Sequence, residues 1–266
     1  MEQSLKLTHA IQAMNYDLLC NTLRSIGLSP ATYKGPGGNL LHIVTLFGPA
    51  TFVPKLVADG IDVNEQNIDG DTALHIAARS GRSSIIDALL VCKDIDDSIL
   101  NNAELTPYQV AKTRQIATVI EYSRSLYITR KTKEMHELVA AGNETGLRNL
   151  FSSHRNKVVL NIDTPDVHGD TVLHASAKND NLQMIQCCLD LGADAYLKNK
   201  KGKLPIELTK DEEIKTVLKS APMIASKETG GILSTKTRLE GYLNKWTNYA
   251  EGYKKRWFAL EEGNKN

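Results

Sequence analysis

The chain has 266 residues, 24% charged and 41% hydrophobic, a balance ordinary for a soluble globular protein and more length than one core usually fills, so two units or a repeat array is expected. A net charge of +1 gives no global field to recruit nucleic acid or membrane, so any electrostatic role belongs to a local patch. No apolar run approaches the roughly 18 residues of a membrane span, the N-terminus lacks a signal-peptide apolar core, and four cysteines without a CxxC pair read as reduced core residues of a cytosolic chain, not as zinc ligands or disulfides.

Taken in chain order, the first element is a pair of helices. Leu5, Ala10, Ile11 and Met14, then Leu18, Leu19, Leu23 and Ile26, recur at helical spacing and form a capping unit. Next comes Gly38-Asn39-Leu40-Leu41-His42-Ile43-Val44, and then a helix starting near Phe52, because Pro54 fits only a first turn. The Phe47-Gly48-Pro49-Ala50 stretch between them predicts a longer turn.

The clearest unit is Gly70-Asp71-Thr72-Ala73-Leu74-His75-Ile76-Ala77-Ala78-Arg79-Ser80-Gly81, with His75 placed 33 residues after His42. Thr72 is suited to cap a first helix. Ala77 and Ala78 let that helix press on its neighbour, and Gly81 turns the chain into a second helix bearing Ile85, Ile86, Leu89 and Leu90. The unit recurs at Gly169-Asp170-Thr171-Val172-Leu173-His174. Degenerate copies put Gln109, His136 and Glu207 at the histidine position. One such unit cannot bury its apolar face alone, so a stack of them makes the core.

His42, His75 and His174 are candidates for metal binding or base catalysis, but their shared repeat position favours a structural role, bonding backbone between adjacent turns. The frame is broken between Gln109 and His136, a step of 27, and between His136 and His174, a step of 38. Thr113 to Ala141 holds no Gly or Pro, which predicts one long helix, or two helices with no finger between them. The array is then continuous or divided into two lobes. Arg124, Arg130, Lys131 and Lys133 make the junction basic, either as a solvated helix face or as a partner groove.

Residues 221–236, with Gly230-Gly231, read as a linker. Both tryptophans follow it, in Gly241-Tyr242-Leu243-Asn244-Lys245-Trp246 and Gly252-Tyr253-Lys254-Lys255-Arg256-Trp257-Phe258. Two alternating runs around a Gly-containing loop predict a β-hairpin.

The repeated Gly-Asp-Thr-x-Leu-His unit resembles the ankyrin signature Thr-Pro-Leu-His-x-Ala, with about seven candidate copies over residues 1–220. The resemblance implies an all-α ankyrin-repeat solenoid. The segment 237–266 looks like the first two strands of a pleckstrin-homology (PH) domain, in wording similar to that of oxysterol-binding proteins. The resemblance implies a truncated PH-domain β-hairpin, since the chain stops at Asn266, and two strands alone are marginal. Residues 237–266 are therefore expected to be disordered or adventitiously packed and to bind lipid poorly.

Ankyrin repeats followed by such a hairpin resemble the N-terminal region of long fungal oxysterol-binding-protein homologues. That resemblance implies phosphatidylinositol 4-phosphate recognition by Lys245, Lys254, Lys255 and Arg256 in a complete PH domain, and sterol binding in a further C-terminal domain. It also implies docking of a nuclear-envelope or ER membrane protein, as a peptide or helix, on the ankyrin region, with location at the nucleus–vacuole junction and the Golgi. An ankyrin scaffold acting in cis on the lipid-transfer domain is the alternative. Partner-binding candidates are the junction around Arg124, Tyr127 and Arg130 and the apolar surface near Phe47 and Phe52. No catalytic motif, metal site, cofactor or nucleic-acid signature is read.

Overall fold

The computed structural model describes residues 2–35, 37–222, 240–242 and 257–259. It has two compact units, residues 1–223 and 224–266. Twelve α-helices lie among the described residues of the first unit.

The helix pairs around His42, His75 and His174 begin where the repeat predicts, whereas the copy at Gln109 forms only a turn and that at Glu207 a 3₁₀ turn. The opening pair is α1 (Glu2–Gln12) and α2 (Tyr16–Arg24), whose first turn Asn15 caps through its side chain. Within this pair Ala10, Ile11, Leu19 and Leu23 are buried, whereas Met14 and Leu18 face solvent. A short pair of strands, β1 (Lys34–Gly35) and β2 (Gly38–Asn39), leads into α3 (Leu40–Phe47), and α4 (Phe52–Ala58) follows with Pro54 in its first turn. The strands carry no apolar alternation, so the sequence held no signal for them.

The strongest unit folds as α5 (Ala73–Ser80) and α6 (Ser83–Leu90). Gly81 ends α5 with φ of 78°, a conformation that penalises a Cβ. Asp180 takes the same place six residues after His174, with φ of 47°.

Of the two readings left open for 113–141, the single helix is correct. It is α7 (Arg114–Ala140), 27 residues long and capped by Thr113. Its start packs Ile116 and Ile120 beside α6 as an outer helix, and its end packs Met135 and Val139 beside α10 as an inner one. Two half-repeats are thus fused into one rod, which explains the 27-residue step. The lengthened step after His136 accommodates α8 (Glu144–Leu150) and an additional helix, α9 (His154–Val159). Then come α10 (Val172–Lys178), α11 (Leu182–Asp190), a 3₁₀ turn at Pro205–Glu207, and α12 (Glu212–Ser220).

Buried apolar residues fall into two clusters. One runs from Leu7 to Ile120 and the other from Met135 to Ala221, and α7 contributes to both. Cys187 and Cys188 lie in the second cluster, where burial pushes the Cys188 thiol up to about 12. All four cysteines are free.

In the second unit, β3 (Glu240–Tyr242) pairs antiparallel with β4 (Trp257–Ala259), with Gly241 opposite Phe258. The expectations for Lys245, Lys254, Lys255 and Arg256, and for the order of 237–266 as a whole, lie outside the described residues.

Candidate docking surfaces

The repeat histidines are structural ties. The Thr72 N–H donates to His75 Nδ1 at 3.1 Å, so Nε2 carries the proton and donates to the Leu105 carbonyl at 3.0 Å. His42 joins the Asn39 cap to the Asp71 carbonyl, and His174 joins the Thr171 cap to the Lys203 carbonyl. Each ring closes its own helix start and reaches the next turn. Burial lowers the affinity of His42 and His75 for a second proton. These rings are committed to backbone and are poorly placed for metal or base chemistry. His136 keeps the forward bond, to the Thr164 carbonyl, while Gln109 and Glu207 keep the cap bond, from the Thr106 and Leu204 N–H groups.

The acidic residue of each strong unit is also matched. Asp71 binds Arg79 and accepts from Asn101, and Asp170 binds Lys178 and accepts from Asn199. Burial alone would raise these carboxyls, but the hydrogen bonds and the adjacent cations outweigh it and hold both below their ordinary value.

The junction candidates are drawn together by an ion cluster that sequence reasoning missed. Asp97, with a side chain only 1% exposed, receives Arg124 Nε at 2.6 Å and Arg155 at 2.8 Å. Arg155 also donates to the Ile95 carbonyl, and its guanidinium lies 3.6 Å from the ring centre of Tyr127. The Tyr127 hydroxyl donates to Asn156. His154 pairs with Asp96. Arg124 and Tyr127 thus join the end of the first cluster to α9, and Arg130 stays exposed on α7, 5.6 Å from Tyr127. At the junction Arg124 and Tyr127 are engaged by neighbouring side chains of the same chain. The one available hint was the acidic pair Asp96-Asp97 and the basic pair His154-Arg155, far apart in sequence.

Phe47 and Phe52 separate. Phe52 is 2% exposed and packs edge-on against Tyr16 at 5.1 Å. It is a core residue and offers no face to a partner. Phe47 is 61% exposed at the end of α3. With Leu46 and Leu40 it lines an open apolar groove of about 270 Å³, walled on the α1 side by Leu7 and Ile11. The α1 wall was not anticipated, because α1 reads in sequence only as a cap.

Ankyrin repeats match at residues 53–90 and 168–200. Oxysterol-binding protein homolog 1 of Saccharomyces cerevisiae is 35% identical over 77% of this chain and 19% of its own length. Oxysterol-binding protein homolog 2 of the same yeast is 31% identical over 85% of this chain and 20% of its own length. The crystal structure of S. cerevisiae Osh1 ANK with Nvj1 matches with a TM-score of 0.67 at 30% identity, covering 82% of this chain and 94% of that one. The chain belongs to the ankyrin-repeat regions of oxysterol-binding-protein homologues. It spans about one fifth of the length of the curated homologues it matches. The structural match takes in 94% of the chain solved as Osh1 ANK with Nvj1.

Proposed function

We propose that this chain is the protein-docking module of an oxysterol-binding-protein homologue, recruiting a lipid-transfer protein to a membrane contact site of the nucleus–vacuole type. The observation that carries the reading is the likeness, over 94% of its length, to an Osh1 ankyrin domain solved with Nvj1. The partner is a segment of an integral membrane protein of the nuclear envelope or ER, presented as a peptide or helix. The two apolar clusters and the ion-locked junction support a two-lobed array, in which partner contact falls on one exposed face and the lobes keep a fixed relation. The chain's task is docking and not catalysis, while sterol and phosphatidylinositol 4-phosphate are handled by other parts of the whole protein. Co-precipitation of the full chain from membrane extracts tests this. A specific membrane protein is expected in the bound fraction, and deletion of residues 1–221 is expected to disperse the whole protein from the contact site. Unchanged localisation on deletion, with no specific protein recovered, refutes the reading.

A second reading is favoured by the antiparallel pairing of β3 and β4: residues 237–266 begin a PH domain that reads phosphatidylinositol 4-phosphate at Golgi membranes through Lys245, Lys254, Lys255 and Arg256. Such a task needs several cations converging on one compact polyanion. Sedimentation with liposomes containing or lacking that lipid tests it, with weak binding expected for the chain ending at Asn266 and strong binding once the domain is completed.

A further inference from the structure

The groove at the end of α3 is bordered by positive charge. Arg82 donates to the Leu46 carbonyl at 2.5 Å and the Gly48 carbonyl at 2.7 Å, which fixes its guanidinium beside Phe47. On the far side of Arg82, Lys112 lies over Gly81, where an added Cβ would come within 2.9 Å of Lys112 Cδ. Neither Arg82 nor Lys112 forms an ion pair among the described residues, and Lys112 is exposed. The surrounding sequence supplies no countercharge. No Asp or Glu stands between Asp17 and Asp59, between Asp71 and Asp87, or between Glu104 and Glu121. The finger carboxylates Glu65 and Asp71 are already engaged, by Lys34 and Arg79. An exposed aromatic at the mouth of an apolar groove, next to unpaired cations, is therefore a surface complementary in both shape and charge to something apolar and acidic.

The chain's own C-terminal segment does not fit that description. Residues 224–266 carry eight Lys and Arg against five Asp and Glu, the same sign as the groove rim. The volume, about 270 Å³, suits one or two side chains rather than a metabolite or a lipid.

We propose that the groove between α1 and α3 receives a bulky apolar side chain from an acidic segment of the docking partner, whose carboxylates face Arg82 and Lys112. This assignment rests on the docking reading and names the surface and partner chemistry it uses. The apolar anchor supplies the holding energy, and the cations speed encounter and fix orientation.

The test pans a random peptide display library on the full chain and measures the selected peptides by fluorescence anisotropy. Enriched peptides are expected to combine Asp or Glu with a Leu, Met, Phe or Trp. Phe47→Ala is expected to weaken them about tenfold or more, the loss typical of a central anchor. Lys112→Glu is expected to slow association and reduce its salt dependence. Both positions are exposed, so melting of the variants should match the parent, and circular dichroism checks it. Enrichment of basic or purely polar peptides, no enrichment, or affinity indifferent to both substitutions overturns the assignment. So does self-association of the chain that Phe47→Ala abolishes, which would make a second copy the occupant. The docking reading is separated by its own readout. A membrane protein recovered equally by parent and Phe47→Ala chains leaves docking standing and removes the groove from it. Acidic apolar peptides that bind through Phe47, with no membrane protein recovered, leave the groove chemistry standing and remove the docking reading.

Discussion

Between α5 and the turn that follows it, contact is neutral. His75 reaches the Leu105 carbonyl, and the small residues Ala77 and Ala78 are fully buried in the inner-helix row. Between the two apolar clusters, contact is ionic. Asp97 is held by Arg124 and Arg155 with little solvent to soften the charges. A neutral tie repeats along the stack, so losing one copy leaves the others in place and costs less. A buried ion cluster occurs once among the described residues, cannot be shared out, and punishes the loss of one partner far more than it rewards their meeting.

That difference is broken most severely at Asp97. Asp97→Ala strands Arg155, itself 7% exposed, as a buried cation without its carboxylate, and destabilises by about 3–5 kcal/mol. Because the cluster joins the two halves, urea unfolding should change from one transition to two. A single transition shifted by less than about 1 kcal/mol would show that α7 alone couples the halves and that the charges are incidental.

The neutral tie is tested at His75. His75→Ala leaves the Leu105 carbonyl and the Thr72 N–H without their partner, at a total cost of roughly 1–3 kcal/mol. The same ring sets a pH dependence. Burial keeps His42 and His75 neutral in the fold and holds their proton affinity below the ordinary imidazole value. As pH falls below about 6.5, the unfolded chain takes up protons that the folded chain refuses, so stability is full above that value and declines below it. Asp71 and Asp170 shift the opposite way on the acid side. Their folded affinity is depressed, so their contribution is present above about pH 4 and is lost as pH falls further. Melting temperature measured from pH 7.5 to pH 3 should fall in two stages, and His75→Ala should flatten the first.

The sequence made the neutral ties legible because each needs a particular residue at a fixed place. A cap, a ring three residues on and a left-handed turn six residues after that ring leave Thr72, His75 and Gly81, or Thr171, His174 and Asp180. The length of α7 was half legible, since its span lacks helix breakers but admits two helices as well as one. The junction was not, because Asp96, Asp97, His154 and Arg155 are 58 residues apart and obey no period. Their meeting depends on where α9 is carried by the fold. Phe47 and Phe52 sit five residues apart and look alike in sequence, but a turn of helix and Tyr16 decide which is buried. The groove wall from α1 was hidden in the same way, as a long-range contact without a local signature.

The smallest expected effect falls at Gln109, where the neutral tie is half built. Its side chain accepts from the Thr106 N–H at 2.8 Å and the Thr106 hydroxyl at 3.1 Å but makes no bond to a following turn among the described residues, because no finger precedes α7. Gln109→Ala should therefore cost about 0.5–1.5 kcal/mol, the loss of solvent-exposed cap bonds, and so less than His75→Ala. Gln109→His is the sharper probe. It restores the repeat residue at a place where the forward acceptor has been absorbed into a continuous helix. Stability should stay within about 0.5 kcal/mol of the parent, because the histidine earns its place in this stack only where a second turn stands ready to accept its proton. A gain of about 1 kcal/mol or more in urea unfolding would mean that the cap bond alone carries the preference for histidine, and the two-ended tie would have to be abandoned.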